Sequence, residues 1–246
     1  MIWFIIATLV AFFIKGLCGF ANTLIFNGIL SYTANNINIS PLEVVLGYPS
    51  NIILVWKERK SLNWKIWLPL TMLVVAGSIP GIFLLKHTDA GLLKVIFGIA
   101  VIVIGVEMLF REMKSKSNSN SGKSDSSKII LILIGIISGL LCGLYGVGAL
   151  LAAYVSRVAE SSHEFKANIC VVFVVENTIR IILYAATGIL TLSVLKQVVI
   201  LIPFMLAAVF LGMKSSSVLN EKIIKKIVIV LLILSGIVLI INNIPG

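Results

Sequence analysis

Apolar residues in this chain do not alternate with polar ones. They fall into eight long runs, approximately 2–32, 42–56, 66–85, 91–110, 129–156, 167–187, 194–213 and 223–242, separated by short polar connections. About 20 apolar residues are enough for a helix to cross the hydrocarbon core of a bilayer. The pattern therefore predicts an all-α polytopic membrane protein. Two runs are longer than a span needs. As one helix, the first would reach roughly 45 Å, against a core of about 30 Å. Its centre reads Ile14-Lys15-Gly16-Leu17-Cys18-Gly19-Phe20-Ala21-Asn22-Thr23, where glycines and polar residues interrupt the apolar pattern. The fifth run is interrupted in the same way, at Leu141-Cys142-Gly143-Leu144-Tyr145-Gly146-Val147-Gly148. Broken helices with polar residues at membrane depth are where transporters build their sites.

The two breaks belong to a wider internal similarity. Cys142 follows Cys18 by 124 residues and Asn177 follows Asn51 by 126, while Gly212, Lys225 and Gly236 follow Gly81, Lys94 and Gly105 by 131. The matches keep their order along four segments, so the chain reads as a duplication. Between the halves, Arg111-Glu112-Met113-Lys114 leads into Ser, Asn, Lys and Gly of low complexity through Lys128, a solvated linker with nothing to bury. The expected organisation is a first transmembrane repeat at 1–110, a linker at 111–128 and a second repeat at 129–246.

Composition bears on class and charge placement bears on topology. The 246 residues are 59% hydrophobic and 12% charged, half the charge of an ordinary soluble domain. No basic n-region precedes the first apolar run and no small-residue cleavage site follows it, so that run is expected to be mature structure. The net charge of +10 would suit nucleic acid if clustered on one surface, but it is spread over short loops, where it orients a membrane protein. With no nucleic-acid partner implied, the partner is the lipid bilayer of the cell (plasma or inner) membrane. Loops 57–65, 111–128 and 214–226 hold most of the lysines and arginines. All three lie on the cytoplasmic side if segments one and five enter and leave by the same face. In that arrangement only Lys15, Lys86, Lys94, Arg180 and Lys196 of the 20 basic residues are not cytoplasmic. Each half then holds a re-entrant hairpin and three spans, and three is odd, so the repeats are inverted. The competing arrangement, eight plain spans with tilted long helices, puts the 214–226 loop outside.

Chemistry concentrates at the breaks. The second half-helix of each hairpin, starting near Phe20–Thr23 or Leu144–Gly148, offers backbone N–H groups with no intrahelical partner and the positive end of its dipole. Gly19, Gly143 and Gly146 let a ligand approach that backbone, and Asn22 and Thr23 add side-chain donors. Such a site prefers an anion. The alternative is that the glycines serve helix packing, as the Gly135-xxx-Gly139-xxx-Gly143 spacing suggests for part of the second hairpin. Lys15 and Arg180 are the two cations expected inside the bilayer, where a charge faces the bundle or a water-filled path. Glu176, one turn before Arg180, is either its structural partner or a proton-taking group beside a substrate-binding guanidinium. Asn51, after Gly47-Tyr48-Pro49-Ser50, and Asn177 are expected on one cavity wall. Cys18 and Cys142 hold matching positions; they are small apolar side chains or thiols facing a sulfur substrate. With Cys170 they lie in apolar runs and offer neither a disulfide framework nor a zinc spacing. His163 and Glu164 read as solvated loop residues. No cofactor motif is found, and neither a P-loop nor a catalytic constellation.

At these residues the chain resembles the sulfite exporter and toluene-sulfonate uptake permeases of the TauE/SafE type. The likeness rests on Gly16-Leu17-Cys18-Gly19-Phe20, Pro49-Ser50-Asn51, Trp64, Gly77 and Gly81, and Phe97-Gly98. In the second half it rests on Gly143–Gly148, Glu164-Phe165-Lys166-Ala167 and Asn177-Thr178-Ile179-Arg180-Ile181-Ile182-Leu183-Tyr184. Members of that family often carry Gly where this chain has Ala21 and Asn22, and Pro where it has Phe26-Asn27. The resemblance implies a secondary transporter of small sulfur-containing anions such as sulfite or sulfoacetate. On the reading of the residues given above, the substrate-binding set is Lys15, Cys18, Gly19, Asn22, Thr23, Asn51, Cys142, Gly143, Tyr145, Gly146, Asn177 and Arg180, with Glu176 as proton carrier or arginine partner. Proton coupling or the membrane potential would supply the drive, with export the default direction. Transport of a carboxylate or inorganic anion, and an intramembrane enzyme or complex subunit, are the alternatives. A monomer and a homodimer both fit the sequence.

Overall fold

A long apolar stretch can remain one helix or fold back on itself, and the first run of this chain does the second. The computed structural model describes residues 1–30, 36–84 and 149–241, with isolated positions between 95 and 110. Helix α1 covers Ile2–Cys18 and α2 covers Asn22–Leu30. Phe12 and Phe26 meet edge to face with ring centroids 6.4 Å apart, whereas an unbroken helix would separate them by about 21 Å. The chain has doubled back.

Two left-handed residues make the reversal. Gly19 closes α1 with φ 86° and its N–H donates to the Lys15 carbonyl, an arrangement glycine adopts without steric cost. Ala21 also has positive φ, at 72°, and there the Cβ costs about 1–2 kcal/mol.

The remaining described helices are α3 Asn36–Glu58, α4 Trp64–Leu84, α5 Ala149–Val158, α6 Ser162–Ala186, α7 Leu192–Val218 and α8 Glu221–Ile241. No strand occurs among the described residues. Helices over Ile39–Ser61, Ser162–Ala186 and Leu192–Val218 are long and apolar enough to cross a membrane, and Ile2–Cys18 and Trp64–Ser78 are shorter apolar helices. Large apolar side chains such as Met72, Ile182, Val199, Phe210 and Leu211 face outward, as lipid contact requires. Trp56 and Trp64, also exposed, flank the polar turn at 57–63 like an interfacial belt. This is an all-α membrane protein. Most of segment four, the linker 111–128, the first arm of segment five and the break with Cys142, Gly143, Tyr145 and Gly146 lie outside the described residues.

Three boundaries differ from the sequence pattern. α3 begins at Asn36 rather than 42, because Pro41 sits in its early turns and Pro49 is absorbed within the helix. α6 begins at Ser162 rather than 167, because Ser161 caps it, accepting a hydrogen bond from the Glu164 N–H at 3.1 Å. His163 and Glu164 are therefore first-turn residues and not a solvated loop. His163 Nδ1 lies 2.7 Å from Glu58 Oε2, and Glu164 Oε1 accepts from Asn63 Nδ2 at 2.9 Å. α7 runs on to Val218, five residues past the apolar run's edge at 213. Lys57 donates to the Met213 carbonyl at 3.2 Å, and buried Lys166 donates to the Ser216 hydroxyl. The turn after α3, the start of α6 and the end of α7 thus share one end of the molecule.

Packing follows from small residues. α1 lies along α7, and α3 lies against α6. At the α1–α7 crossing Gly16 faces Gly212, so a Cβ on Gly212 would fall 2.9 Å from the Leu17 nitrogen and collide with the Phe13 carbonyl. Gly16 thus serves close packing. This contact holds the C-terminal end of α1, and with it the break, in place.

Two outcomes test this account. Gly212→Ala should lower stability by about 1–3 kcal/mol through overpacking, read as a lower melting temperature in detergent. Ala21→Gly should raise stability by about 1 kcal/mol by relieving the left-handed alanine; an unchanged or lower melting temperature would contradict the strain assigned to that position.

Candidate functional site

Lys166 packs its stem on Gly19 but carries its ammonium to Ser216, which leaves four buried charged side chains grouped between the break, α3 and α6: Lys15 on α1, Glu43 on α3, and Glu176 and Arg180 on α6. Two are cations and two are anions, so the set is neutral, as a low-dielectric interior demands. Each helix contributes for a local reason. Lys15 sits on the last turn of α1, on the side the doubled-back chain encloses. Glu43 lies well inside α3 because that helix starts at Asn36. Glu176 and Arg180 are one turn apart on α6, and their Oε1 and Nε atoms are 3.6 Å apart.

Between the break and the faces of α3 and α6 lies a small cavity. Phe20, Ala21, Asn22, Thr23 and Leu24 form the side made by the break and the start of α2. Lys15 enters from α1, Glu43 and Asn51 from α3, and Phe173, Glu176 and Asn177 from α6. Its free volume is about 20 Å³, counted as room for the centre of a water molecule. That is space for about one water, so a larger ligand needs the walls to part.

The hydrogen bonds separate side chains that are satisfied from those that are not. Glu43 Oε1 accepts from Thr23 Oγ1 at 2.8 Å and from Asn22 Nδ2. These bonds tie the first turn of α2 to α3. The first helical bond of α2 runs from the Ile25 N–H to the Ala21 carbonyl, at 3.2 Å, so the amides of Asn22, Thr23 and Leu24 precede the intrahelical ladder at the cavity. Among the described residues Lys15 reaches the Gly47 carbonyl alone, at 3.5 Å, and lies 5.8 Å from the Phe12 ring centroid. Asn51 is fully buried, yet among the described residues neither its Oδ1 nor its Nδ2 has a partner. An unpaired buried amide costs about 1–3 kcal/mol. A polar ligand in the cavity would satisfy it. Asn177 stands on the facing helix, where its Nδ2 would lie 3.4 Å from a Cβ built on Gly47.

The sequence-predicted residues therefore divide into groups. Lys15, Asn22, Thr23, Asn51, Asn177 and Glu176 come together on the cavity wall. Arg180, expected among the substrate-binding residues, stands outside that wall. Its Nη2 donates to Ser40 Oγ at 2.9 Å and to the Tyr184 hydroxyl at 3.0 Å, and its Nε faces Glu176. Gly19 serves the turn: its carbonyl accepts from Cys170 Sγ at 3.3 Å. Cys18 is fully buried and also outside the lining. Glu43 is the residue that the sequence reading passed over. An acid inside an apolar run was the available signal, but at the second position of a run drawn from 42 it resembles a helix end.

A scan against protein-family models matches residues 4–239 to the model described as Sulfite exporter TauE/SafE. No curated protein and no solved structure matches the chain significantly. With nearly its whole length matched, and with apolar helices enclosing a polar cavity, the chain belongs to the sulfite exporter TauE/SafE family of membrane transporters.

Proposed function

We propose that this protein is a secondary transporter of a small sulfur-containing anion, sulfite or an organosulfonate such as sulfoacetate, bound in the cavity at the α1–α2 break. The observation that carries the reading is the buried Asn51 amide, unpartnered in a cavity that also holds Lys15 and the amides of Asn22 and Asn177. An oxyanion takes hydrogen bonds from amide N–H groups and charge from the ammonium, and the start of α2 adds the positive end of its dipole. Arg180 acts at one remove, by holding Glu176 and tethering Ser40 of α3. In the amino-acid sequence a second break, at Cys142, Gly143, Tyr145 and Gly146, holds the matching place in the other half, and on this reading alternating access moves the site between faces. An inside-negative potential favours exit of net negative charge by about 2.3 kcal/mol per charge per 100 mV, making export the default direction. The shared end formed by 57–63, 161–168 and 213–216 supports the hairpin topology. Eight plain spans would put the first of those stretches on the opposite side from the other two.

The binding experiment is calorimetry or a thermal-shift series on purified protein with sulfite, thiosulfate, sulfoacetate and short carboxylates. Lys15→Met should weaken sulfonate binding by about 1.5–3 kcal/mol and Asn51→Ala by about 1 kcal/mol. Arg180→Lys should instead lower stability by about 1–3 kcal/mol, losing the planar fork shared by Ser40, Tyr184 and Glu176, with affinity changed less than by Lys15→Met. Normal sulfonate affinity in a well-folded Lys15→Met protein, or preference for carboxylates, would overturn the assignment.

Topology is checked by cysteine labelling in a background without the native cysteines. Positions Ser119 in the linker and Ser217 in the exposed last turn of α7 should both be cytoplasmic and react only after the cells are permeabilised. Labelling of position 217 in intact cells would refute the hairpin arrangement.

A further inference from the structure

The cavity wall carries two carboxylates, which is one more than an anion site needs. Glu176 has a charged partner in Arg180, 3.6 Å away. Glu43 is held by neutral donors, the Asn22 amide and the Thr23 hydroxyl, and among the described residues no cation lies within 4 Å of it. The charged groups that face it are Lys15 from α1 and Arg180 and Glu176 from α6. With all four ionised the site is neutral before any substrate enters. An arriving anion then adds an uncompensated negative charge to a dry interior, beside a carboxylate that already repels it.

From this arrangement we infer that Glu43 carries a proton together with the transported anion, so substrate and proton cross in the same direction; the inference rests on the transport reading above. Glu43 takes the proton from the water on whichever side the cavity opens to, and returns it to water on the other. No bond within the anion is made or broken. Both observed bonds to Glu43 end on Oε1, which accepts as a carboxylate oxygen and, more weakly, as the carbonyl oxygen of a carboxylic acid. Protonation at Oε2 therefore keeps the carboxyl in place and removes its charge. Because Asn22 and Thr23 begin α2, the charge on Glu43 acts on the break itself. A dianion such as sulfoacetate moves with a net charge of minus one, so the membrane potential still favours its exit.

The test uses the full-length protein in liposomes, with sulfoacetate as the probe because it does not titrate near neutral pH. Potassium and valinomycin clamp the voltage, sodium is left out, and a trapped dye reports luminal pH. Wild-type uptake should acidify the lumen in step with sulfoacetate entry and should rise severalfold when the outside is made acidic. Glu43→Gln should still exchange sulfoacetate for sulfoacetate, more slowly, but lose both luminal acidification and the response to a pH gradient. Glu43→Asp, which keeps the carboxyl, should retain coupling at a reduced rate and serves if the glutamine variant does not fold. Uptake without acidification by the wild-type protein, a sodium requirement, or intact coupling in Glu43→Gln would each overturn the proton assignment while leaving transport standing. Neither flux nor binding of sulfoacetate by the wild-type protein would overturn both.

Discussion

A charge in the bilayer interior must be compensated within reach, and this constraint organises the protein. Lys15, Glu43, Glu176 and Arg180 are all buried, and they come from three helices that are distant in sequence. Removing any one leaves an uncompensated charge, which costs more than an intact pair contributes. The helices are thereby bound to one mutual arrangement. α1 must bring its last turn beside α3, and α3 must face α6. The polar groups that result are concentrated on a cavity instead of being dispersed among helix contacts.

The break at 19–21 turns that electrostatic requirement into a site. A continuous helix would carry Asn22 and Thr23 past Glu43. The reversal brings them to it, and the short α2 presents its first amides to the cavity. Two glycines have separate duties near this point. Gly19 supplies the left-handed turn, while Gly16 lets α1 approach the backbone of α7 at Gly212. Ala21 takes the same left-handed region without glycine's freedom, so the turn stores strain next to the site.

The end of the molecule away from the α1–α2 hairpin's N-terminus is held by a different set of interactions. His163 with Glu58, Lys57 with the Met213 carbonyl, Lys166 with Ser216, and Asn63 with Glu164 and Asn168 join α3, α6 and α7 at one face. These are polar contacts near helix ends, part-buried for the most part and fully buried at Lys166 and Ser216, and they lie apart from the charges at the cavity. Closing one end with exchangeable polar bonds suits a protein whose cavity, with room for about one water, has to open for a larger ligand.

Much of this was legible in the amino-acid order alone. Hydrophobic run lengths determine that the chain is a helical membrane protein, because a bilayer tolerates no unsatisfied backbone. The first run's excess length, with Gly19 and Asn22 at its centre, determines where it breaks. The cost of intramembrane charge marks Lys15, Glu176 and Arg180 as interior. Asn51 and Asn177 could be paired from the repeat offset, and both line the cavity. Tertiary structure decided which of these groups face the cavity and which face one another. Arg180 turns to Ser40 and Tyr184 instead of the cavity, since a side chain with five donors goes where acceptors converge, and those acceptors come from α3 and from its own helix. Glu43 was hidden for the opposite reason: its depth depends on where α3 starts, and its partners lie some twenty residues earlier, across a reversal. Periodicity records which residues a helix buries, but the partner each buried polar atom finds is set only when the helices meet.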